Sequence, residues 1–187
     1  IEYFQIPTTF LAMIDSSIGG TTAVNANEGK NIIGTIYQPK SVFIDPNFLK
    51  SLDKKEVNSG FGEMIKYGAI WDEDLFDKIS TWLENPSSFP FEKAIIDAVK
   101  IKSDIVSKDE KEKGLRTILN FGHTIGHAIE SYYGYERIKH GEAVAIGMKC
   151  AGFISNRKRL LSAEAKNKLF SILEKLTLPD ISDLDKK

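Results

Sequence analysis

The sequence predicts a mainly α-helical domain preceded by a short, incomplete β segment. From about Asp53 onward, apolar residues recur at the spacing of amphipathic helices. Before that point lie short β-branched and aromatic runs beside Pro or Gly, which favour strands. Because two strands cannot form an independent sheet, we expect the rest of that sheet to lie outside this chain. The predicted division is residues 1–52 for the β remnant and 53–187 for the helical domain.

The elements follow in order. Residues 1–9 (IEYFQIPTT) and 41–45 (SVFID) predict strands, and residues 15–34 between them, rich in Gly, Ser, Thr and Asn, predict a loop. Five or six helices are predicted after residue 53, with a loop at 84–90 and an N-cap at Ser162. The clearest helical periodicity lies in residues 55–70, 91–106, 117–133, 141–154 and 162–176.

Composition excludes several classes of protein. The formal net charge of −1 gives no general basic field for nucleic acid or an anionic membrane surface. No apolar run approaches the ~20 residues of a membrane span, and no signal-peptide pattern is present. Cys150 is the only cysteine, so there is no disulfide framework. We therefore expect a cytoplasmic protein with no nucleic-acid or membrane partner, and the missing initiator Met suggests a fragment.

All three histidines fall between residues 123 and 140. His123 and His127 are four residues apart and share one face of a helix, while His140 begins the next helical stretch. Glu63 lies in a small and apolar stretch, where a carboxylate needs a partner. Two histidines, one carboxylate and open positions are typical of a catalytic zinc site. Spacing alone leaves open which two histidines bind, and whether the ion is zinc, iron or another divalent metal.

The glycines and cations near these residues suggest a ligand. Gly122 and Gly126 cost helix stability, which indicates that something large lies close to this backbone. A Gly19–Gly20 pair can cradle phosphate, although a plain surface loop is an equal alternative. A metal beside several cations suits a substrate with carboxylate and phosphate groups, whereas any single lysine is more often solvated. The candidate cations are Lys66, Lys100, Lys102 and Arg116.

The chain resembles the NAD- and zinc-dependent 3-dehydroquinate synthase family in six stretches between Ile6 and Met148. They are IPTT, DSSIGG, EGKNIIGTIYQPKSVFID, GEMIKYG, DEKEKGLRTILNFGHTIGHAIE and HGEAVAIGM. The resemblance implies a two-domain α/β plus α fold with the active site in the cleft. This chain would hold the C-terminal helical domain and the last strands of the N-terminal α/β domain.

The resemblance also implies roles for individual residues. Zinc, cobalt or another divalent metal would be bound by Glu63, His123 and His140. The substrate would be contacted by Asp15, Lys66, Lys102, Arg116, Asn120 and His127. NAD would be contacted by Thr8, Thr9, Lys30, Asn31, Phe48, Leu49, Lys50 and Ser51.

The implied reaction converts 3-deoxy-D-arabino-heptulosonate 7-phosphate to 3-dehydroquinate with loss of phosphate. It belongs to the shikimate pathway of aromatic amino acid biosynthesis, NAD is regenerated, and family members are commonly homodimers. Three departures from the family matter, one of which is that the family's chain continues past residue 187. Thr21 stands where the family has a lysine in GGKT, and most of the N-terminal NAD-binding strands are missing, so this chain alone should bind NAD poorly.

Three alternatives stay open. Sugar phosphate cyclases that make 2-deoxy-scyllo-inosose or valiolone types share most of the pattern. Thr21, which departs from the synthase pattern, is the main reason to retain them as an alternative. Metal-dependent polyol dehydrogenases share a GHxxxH…HGExVA pattern. The chain could also be a non-catalytic helical fragment. DSSIGG, GKNIIG and the pair of Glu63 and Lys66 favour the synthase.

Overall fold

The fold is mainly α, as predicted, in a computed structural model that describes residues 1–26 and 29–184. For residues 25, 26 and 29–32 only the backbone is described. The helices are α1 Lys54–Trp71, α2 Glu73–Trp82, α3 Phe91–Lys108, α4 His123–Tyr132, α5 His140–Arg157 and α6 Ala163–Leu173. The strands are β1 Phe4–Gln5, β2 Thr21–Ala26, β3 Gly29–Ile36 and β4 Ser41–Val42. Short helical turns are Ala12–Ser16 (π-helical) and Pro46–Ser51, Pro86–Ser88 and Leu115–Asn120 (3₁₀).

Side-chain caps explain where several helices begin. Asp53 accepts a hydrogen bond from Lys55 N at 2.7 Å, at the start of α1. Asp72 ends α1 and begins α2 by accepting from Leu75 N at 2.9 Å. The predicted cap at Ser162 is confirmed, because its hydroxyl oxygen accepts from Ala165 N at 3.0 Å.

The prediction of one helix over residues 117–133 was wrong in its first part. Residues 115–120 form a 3₁₀ turn, and the α-helix begins only at His123. Gly122 interrupts the helix with a φ of 82°, a left-handed conformation that favours glycine. The break places His123 at the first position of α4.

The N-terminal strands also differ from the prediction. Strands β1 and β4 pair in parallel, with Phe4 opposite Ser41, but each is shorter than predicted. Much of the predicted loop at 15–34 is strand instead, because β2 and β3 form an antiparallel pair, with Thr21 opposite Ile36. The β-branched residues in TTAV and NIIGTI favour strands. The neighbouring Gly and Asn residues obscured that signal.

One large core joins the helices to the turn at Ala12–Ser16. Phe10, Met13 and Ile14 are fully buried and pack in the same apolar cluster as residues of α1, α2, α3, α5 and α6. The division at residue 52 stays a prediction. Across residues 1–26 and 29–184, no helix has the length and apolar character needed to cross a membrane.

Candidate metal centre and active site

Three helices bring the predicted metal ligands together. Glu63 lies in the fully buried middle of α1, while His123 and His140 are the first residues of α4 and α5. The helices approach backbone to backbone. A Cβ added at Gly147 would lie 1.9 Å from the carbonyl oxygen of Gly122. The large neighbour expected beside the Gly122 region is therefore helix α5, which only glycine lets come this close.

The ligand atoms converge on one point. Oε1 of Glu63 lies 3.5 Å from Nε2 of His123 and 3.5 Å from Nε2 of His140. Zinc bonds of about 2.0–2.2 Å in a tetrahedral arrangement separate ligand atoms by about 3.3–3.6 Å. Both observed separations lie in this range, so Oε1 of Glu63 and each Nε2 are spaced as two ligands of one divalent ion would be.

The carboxylate of Glu63 is under-satisfied. Its side chain is fully buried and forms an ion pair with Lys66 through Oε2. Neither oxygen accepts a directed hydrogen bond from the described residues. Buried polar atoms normally have such partners, and exceptions often mark an ion or a functional role. A cation at the point facing both imidazoles would satisfy Oε1.

The two imidazole rings are held so that Nε2 faces Glu63. Nδ1 of His123 lies 3.3 Å from the carbonyl oxygen of Phe121. Nδ1 of His140 lies 3.1 Å from Oε2 of Glu130. Burial lowers the pKa of His123 to about 4, against the opposing charge of Glu63. The ring is therefore neutral near pH 7, which is the form that binds metals.

The third histidine belongs to the same cluster. The ring of His127 lies with its centroid 5.3 Å from that of His123 and 5.8 Å from that of His140. One ligand atom from each histidine lies within 4.8 Å of the others. The recorded contacts of Glu63 with His123 and His140 favour the ligand set implied by the resemblance, which stays a prediction.

A second buried charge cluster ties the Ala12–Ser16 turn to α1 and α3. Nζ of Lys102 donates to Oδ1 and to the backbone oxygen of Asp15, each at 2.6 Å. The hydroxyl of Tyr67 donates to the same Oδ1 at 2.5 Å. Burial alone would raise the pKa of Asp15, but the charges of Lys102 and Lys66 and these hydrogen bonds hold it well below its usual range. Burial, with the Asp15 charge, raises the pKa of Tyr67, so its phenol keeps the proton it donates.

Arg116 is buried against the glycine pair. Its Nη1 donates to the carbonyl oxygen of Glu110 at 2.9 Å, and its Nη2 to that of Gly19 at 3.1 Å. Gly19 and Gly20 are left-handed, with φ of 103° and 71°, and a Cβ on Gly19 would lie 2.9 Å from Nη2. In this structure the glycine pair, for which the sequence left a phosphate cradle and a plain surface loop open, packs on the guanidinium of Arg116.

The loop after α3 organises this arginine. Asp109 accepts hydrogen bonds from the backbone N–H groups of Lys113, Gly114 and Arg116, at 2.8–3.0 Å. These bonds lower the pKa of the half-buried Asp109 carboxyl. Asn120 is exposed, and its Nδ2 donates to Oε1 of Glu112 at 2.8 Å.

One predicted cation does not join the site. Lys100 is exposed on α3 and lines a shallow surface groove with Glu92 and Asp97, away from the histidines. Its neighbour Lys102 turns inward to Asp15. The expectation that the cations gather in one place holds for Lys102 and is wrong for Lys100.

The positions expected to touch NAD fall into three groups. Thr8 is exposed, and the hydroxyl oxygen of Thr9 accepts from Ala12 N at 3.2 Å. In the 3₁₀ turn before α1, Leu49 is buried in the core. The side chains of Phe48, Lys50 and Ser51 in the same turn are exposed. The side chains of Lys30 and Asn31 lie outside the described residues.

Sequence reasoning missed several polar residues of the site. Glu130 contacts His140, Glu112 accepts from Asn120, and Tyr67 donates to Asp15. A signal existed for Glu130, because it lies seven residues after His123 on the same face of α4. No local signal existed for Tyr67, whose partner is 52 positions away in sequence.

The fold and the site together define a helical domain in which two imidazoles and a carboxylate meet beside buried cations. Residues 60–187 match the family 3-dehydroquinate synthase C-terminal, and residues 1–59 match 3-dehydroquinate synthase N-terminal. The chain belongs to the 3-dehydroquinate synthase family.

Its curated relatives agree. The chain is 48% identical to a 3-dehydroquinate synthase of Rippkaea orientalis, over 99% of this chain and 53% of that protein. It is 50% identical to one of Prochlorococcus marinus, over 96% of this chain and 51% of that protein. The chain thus spans about half the length of the curated relatives it matches.

Solved structures of sister enzymes share the fold. One is a 2-epi-5-epi-valiolone synthase of Streptomyces hygroscopicus with NAD⁺ and Zn²⁺ bound. Its TM-score is 0.83 at 28% identity, over 95% of this chain and 51% of that one. Another is a 2-deoxy-scyllo-inosose synthase complexed with carbaglucose-6-phosphate, NAD⁺ and Co²⁺. Its TM-score is 0.80 at 33% identity, over 94% of this chain and 49% of that one.

Proposed function

We propose that this chain is the metal- and substrate-binding part of a 3-dehydroquinate synthase. The reaction converts 3-deoxy-D-arabino-heptulosonate 7-phosphate to 3-dehydroquinate with loss of phosphate. Two supports are the family match and the 46–50% identity to curated synthases. The observation that carries the proposal is the convergence of two Nε2 atoms on Oε1 of Glu63, each at 3.5 Å.

The metal would be held by Glu63, His123 and His140. Zinc or cobalt would supply a Lewis acid that lowers the pKa of a bound substrate hydroxyl and stabilises the developing negative charge. Before the metal binds, the protein would keep the histidine ligands neutral and the carboxylate ligand paired with a cation. Burial keeps His123 unprotonated, and Lys66 balances the charge of Glu63. Zn²⁺ and Co²⁺ in the sister enzymes support this choice of metal.

The substrate's anionic groups would be held by Lys102 and Arg116, which are buried cations on neighbouring elements. Lys102 is oriented by Asp15, which is itself fixed by Tyr67. Lys66 would link the two clusters, because its ammonium pairs with the proposed metal ligand Glu63 and its charge also acts on Asp15. Asn120 and His127 would position hydroxyl groups or relay protons. These cations act by orientation and charge stabilisation.

NAD would contact Thr8, Thr9, Lys30, Asn31 and the Phe48–Ser51 turn, and it would supply reversible hydride transfer. Leu49 is buried, so only its backbone can meet a ligand. The exposed Thr21 replaces the family's lysine. Because this chain spans about half the length of its relatives, we expect its own NAD affinity to be weak.

A sister sugar phosphate cyclase is the second candidate. The observation that favours it is the close structural match to the valiolone and scyllo-inosose enzymes, together with Thr21. The sequence identity of 28–33% to those enzymes is well below the 48–50% to the curated synthases. We therefore place the synthase first. We also propose a homodimer located in the cytoplasm, which sedimentation and cell fractionation would check.

Phosphate release tests the proposal. The chain would be assayed alone and as a chimaera in which it replaces the matching half of the Rippkaea orientalis relative, with NAD, zinc and 3-deoxy-D-arabino-heptulosonate 7-phosphate. We expect the chimaera to turn over and His123→Ala to abolish turnover. Lys102→Ala should lower kcat/KM by at least about 100-fold. The matched control Lys100→Ala, from the exposed side of the same helix, should change it less than about twofold.

Each outcome separates the candidates. A folded, metal-loaded chimaera that releases phosphate only from the substrates of the sister cyclases would replace the synthase by that class. A chimaera that binds metal but turns over none of these substrates would leave the non-catalytic reading. Equal losses in Lys102→Ala and Lys100→Ala would contradict the assignment of Lys102 to the substrate.

A further inference from the structure

We infer that Glu130 is a positioning residue of the metal centre, whose carboxylate holds His140 in the tautomer that presents Nε2 to the metal. Oε2 of Glu130 lies 3.1 Å from Nδ1 of His140. On the other side of the same ring, Nε2 faces Oε1 of Glu63 at 3.5 Å. The inference rests on the metal centre of the proposed function and adds a residue to it.

The chemistry of the pair fixes the proton. An ionised carboxylate can only accept hydrogen bonds, so a bond to Nδ1 requires the proton on Nδ1. The lone pair of a neutral imidazole is then on Nε2, the atom that faces Glu63. Glu130 therefore selects the nitrogen that is free to bind the metal.

Burial makes this contact more than a surface ion pair. The side chain of Glu130 is 5% exposed and that of His140 is 18% exposed. Beside them, the buried Ile129, Ile138 and Ala143 form a small apolar cluster that joins α4 to α5. A carboxylate held in such surroundings has few alternative orientations. The contact to Nδ1 is thus set by packing on both helices.

The two ligating histidines differ in how they are held. Nδ1 of His123 faces a backbone oxygen, that of Phe121, which no side-chain substitution removes. Nδ1 of His140 faces a side chain. Helix α4 therefore supplies one ligand, His123, and the support for the other. A change at Glu130 tests the support of one ligand while all three ligands stay in place.

The first experiment is cobalt binding to this chain, measured by competition with a chelator and by the visible absorption of Co²⁺. Glu130→Leu removes the acceptor at similar size, and Glu130→Gln keeps a neutral acceptor. We expect about 10–100-fold weaker binding in Glu130→Leu, partial rescue in Glu130→Gln, and a changed cobalt spectrum in both. Circular dichroism would verify that each variant is folded.

The matched control is Glu142→Gln. Glu142 is also buried at the start of α5, but it accepts from the backbone of Lys139 at 3.0 Å and from Asn58 at 3.3 Å. We expect a lower melting temperature with unchanged cobalt affinity and spectrum. A purely structural role for Glu130 would make its variants behave like this control, and that result overturns the inference.

The second experiment needs no substitution, so it stands even if a Glu130 variant fails to fold. In the zinc-loaded wild-type chain labelled with ¹⁵N-histidine, we expect a proton on Nδ1 of His140 and zinc on Nε2. Zinc on Nδ1 overturns the inference and leaves the metal centre intact. A wild-type chain that binds neither zinc nor cobalt overturns both the metal centre and the inference.

Discussion

The surroundings of the candidate metal ligands and the strands that precede the helices differ in how completely their side chains are covered. Glu63 in α1 is fully buried, whereas Phe4 in β1 and Phe43 after β4 are 54% and 58% exposed. Val24 and Ile33 of the hairpin are also exposed. The side of the site that carries the candidate metal ligands is therefore fixed by packing within this chain, while the strands leave large apolar side chains exposed.

The largest effect we expect comes from filling a helix contact. A Cβ at Gly147 would lie 1.9 Å from the backbone oxygen of Gly122, which cannot move aside as a side chain can. Gly147→Ala should therefore force α4 and α5 apart and lower the free energy of unfolding by more than about 3 kcal/mol. Urea denaturation followed by circular dichroism measures it, and cobalt affinity should fall too.

Gly152→Ala is the control on the same helix. Its Cβ would meet only side chains, the flexible Leu169 at 3.0 Å and the ring of Phe170 at 3.4 Å. Alanine also gains up to about 1 kcal/mol of helix propensity, so the net change should stay within about 1 kcal/mol. Similar losses in both variants would mean that helix α5 is simply intolerant of larger residues, whatever the local contact.

Removing the cation opposite Asp15 should have the next largest effect. Lys102→Met leaves Asp15 charged beside the hydroxyl of Tyr67, without its closest ammonium. Breaking buried pairs costs about 3–5 kcal/mol. Since the side chain of Asp15 is 19% exposed, we expect a smaller loss, of about 2–3 kcal/mol in the free energy of unfolding. Lys93→Met removes an exposed pair on the same helix, at 3.4 Å, and should cost under about 0.5 kcal/mol. The comparison breaks down if the two variants lose equal stability.

The lowered pKa of Asp15 predicts how this contribution depends on pH. A carboxyl whose folded pKa lies below the unfolded value of about 3.9 stabilises the fold fully above that value and loses the effect as pH falls below it. Asp15→Asn should therefore be about 2 kcal/mol less stable than the wild type near pH 7. The gap should narrow below about pH 4, as urea denaturation at several pH values would show. Asp104→Asn, in an exposed pair with Lys108, is the control, and a gap that widens in acid would refute the assignment.

A paired tyrosine substitution compares the two regions directly. Tyr67→Phe removes a buried hydrogen bond of 2.5 Å to the charged Asp15 and should cost about 1.5 kcal/mol. Tyr3→Phe removes a bond of 2.7 Å to the backbone oxygen of Tyr37, in the exposed N-terminal segment. The second loss should stay under about 0.5 kcal/mol, since water replaces the partner. Thermal melts of both variants decide whether burial or bond length sets the cost.

Local periodicity was enough to predict most of the helices, and the clustering of the histidines in sequence was enough to predict that they meet. Apolar residues at helical spacing predicted α1, α3, α5 and α6, and the clustering of His123, His127 and His140 predicted that they would meet. The predictions failed where a local signal was mixed. The Gly and Asn residues around β2 and β3 concealed their β-branched pairs, and a single left-handed Gly122 ended a run that looks helical.

The polar partners of the site could not be predicted in the same way. Tyr67 meets Asp15 and Glu63 meets His140 only because separate elements pack together. Lys100 and Lys102 look alike in sequence, yet two positions on a helix point to different faces, and only the contact with Asp15 selects Lys102. Which polar side chains pair with each other depends on tertiary packing, and the spacing of residues within one element does not predict it.

The smallest effect should come from the exposed aromatic residues of the strands. Phe4 and Phe43 have ring centroids 6.2 Å apart and are both more than half exposed. Phe4→Ser should change the free energy of unfolding by under about 0.5 kcal/mol, because little apolar area leaves a buried site. Phe10→Ala, at a fully buried ring that packs on Phe61, should instead cost about 3–5 kcal/mol. If residues of the relative's N-terminal half bury Phe4 in the chimaera, the same Phe4→Ser change should become clearly destabilising there. An equal, small effect in both contexts would show that this face stays exposed, and the contrast between the two regions would then reflect local composition alone.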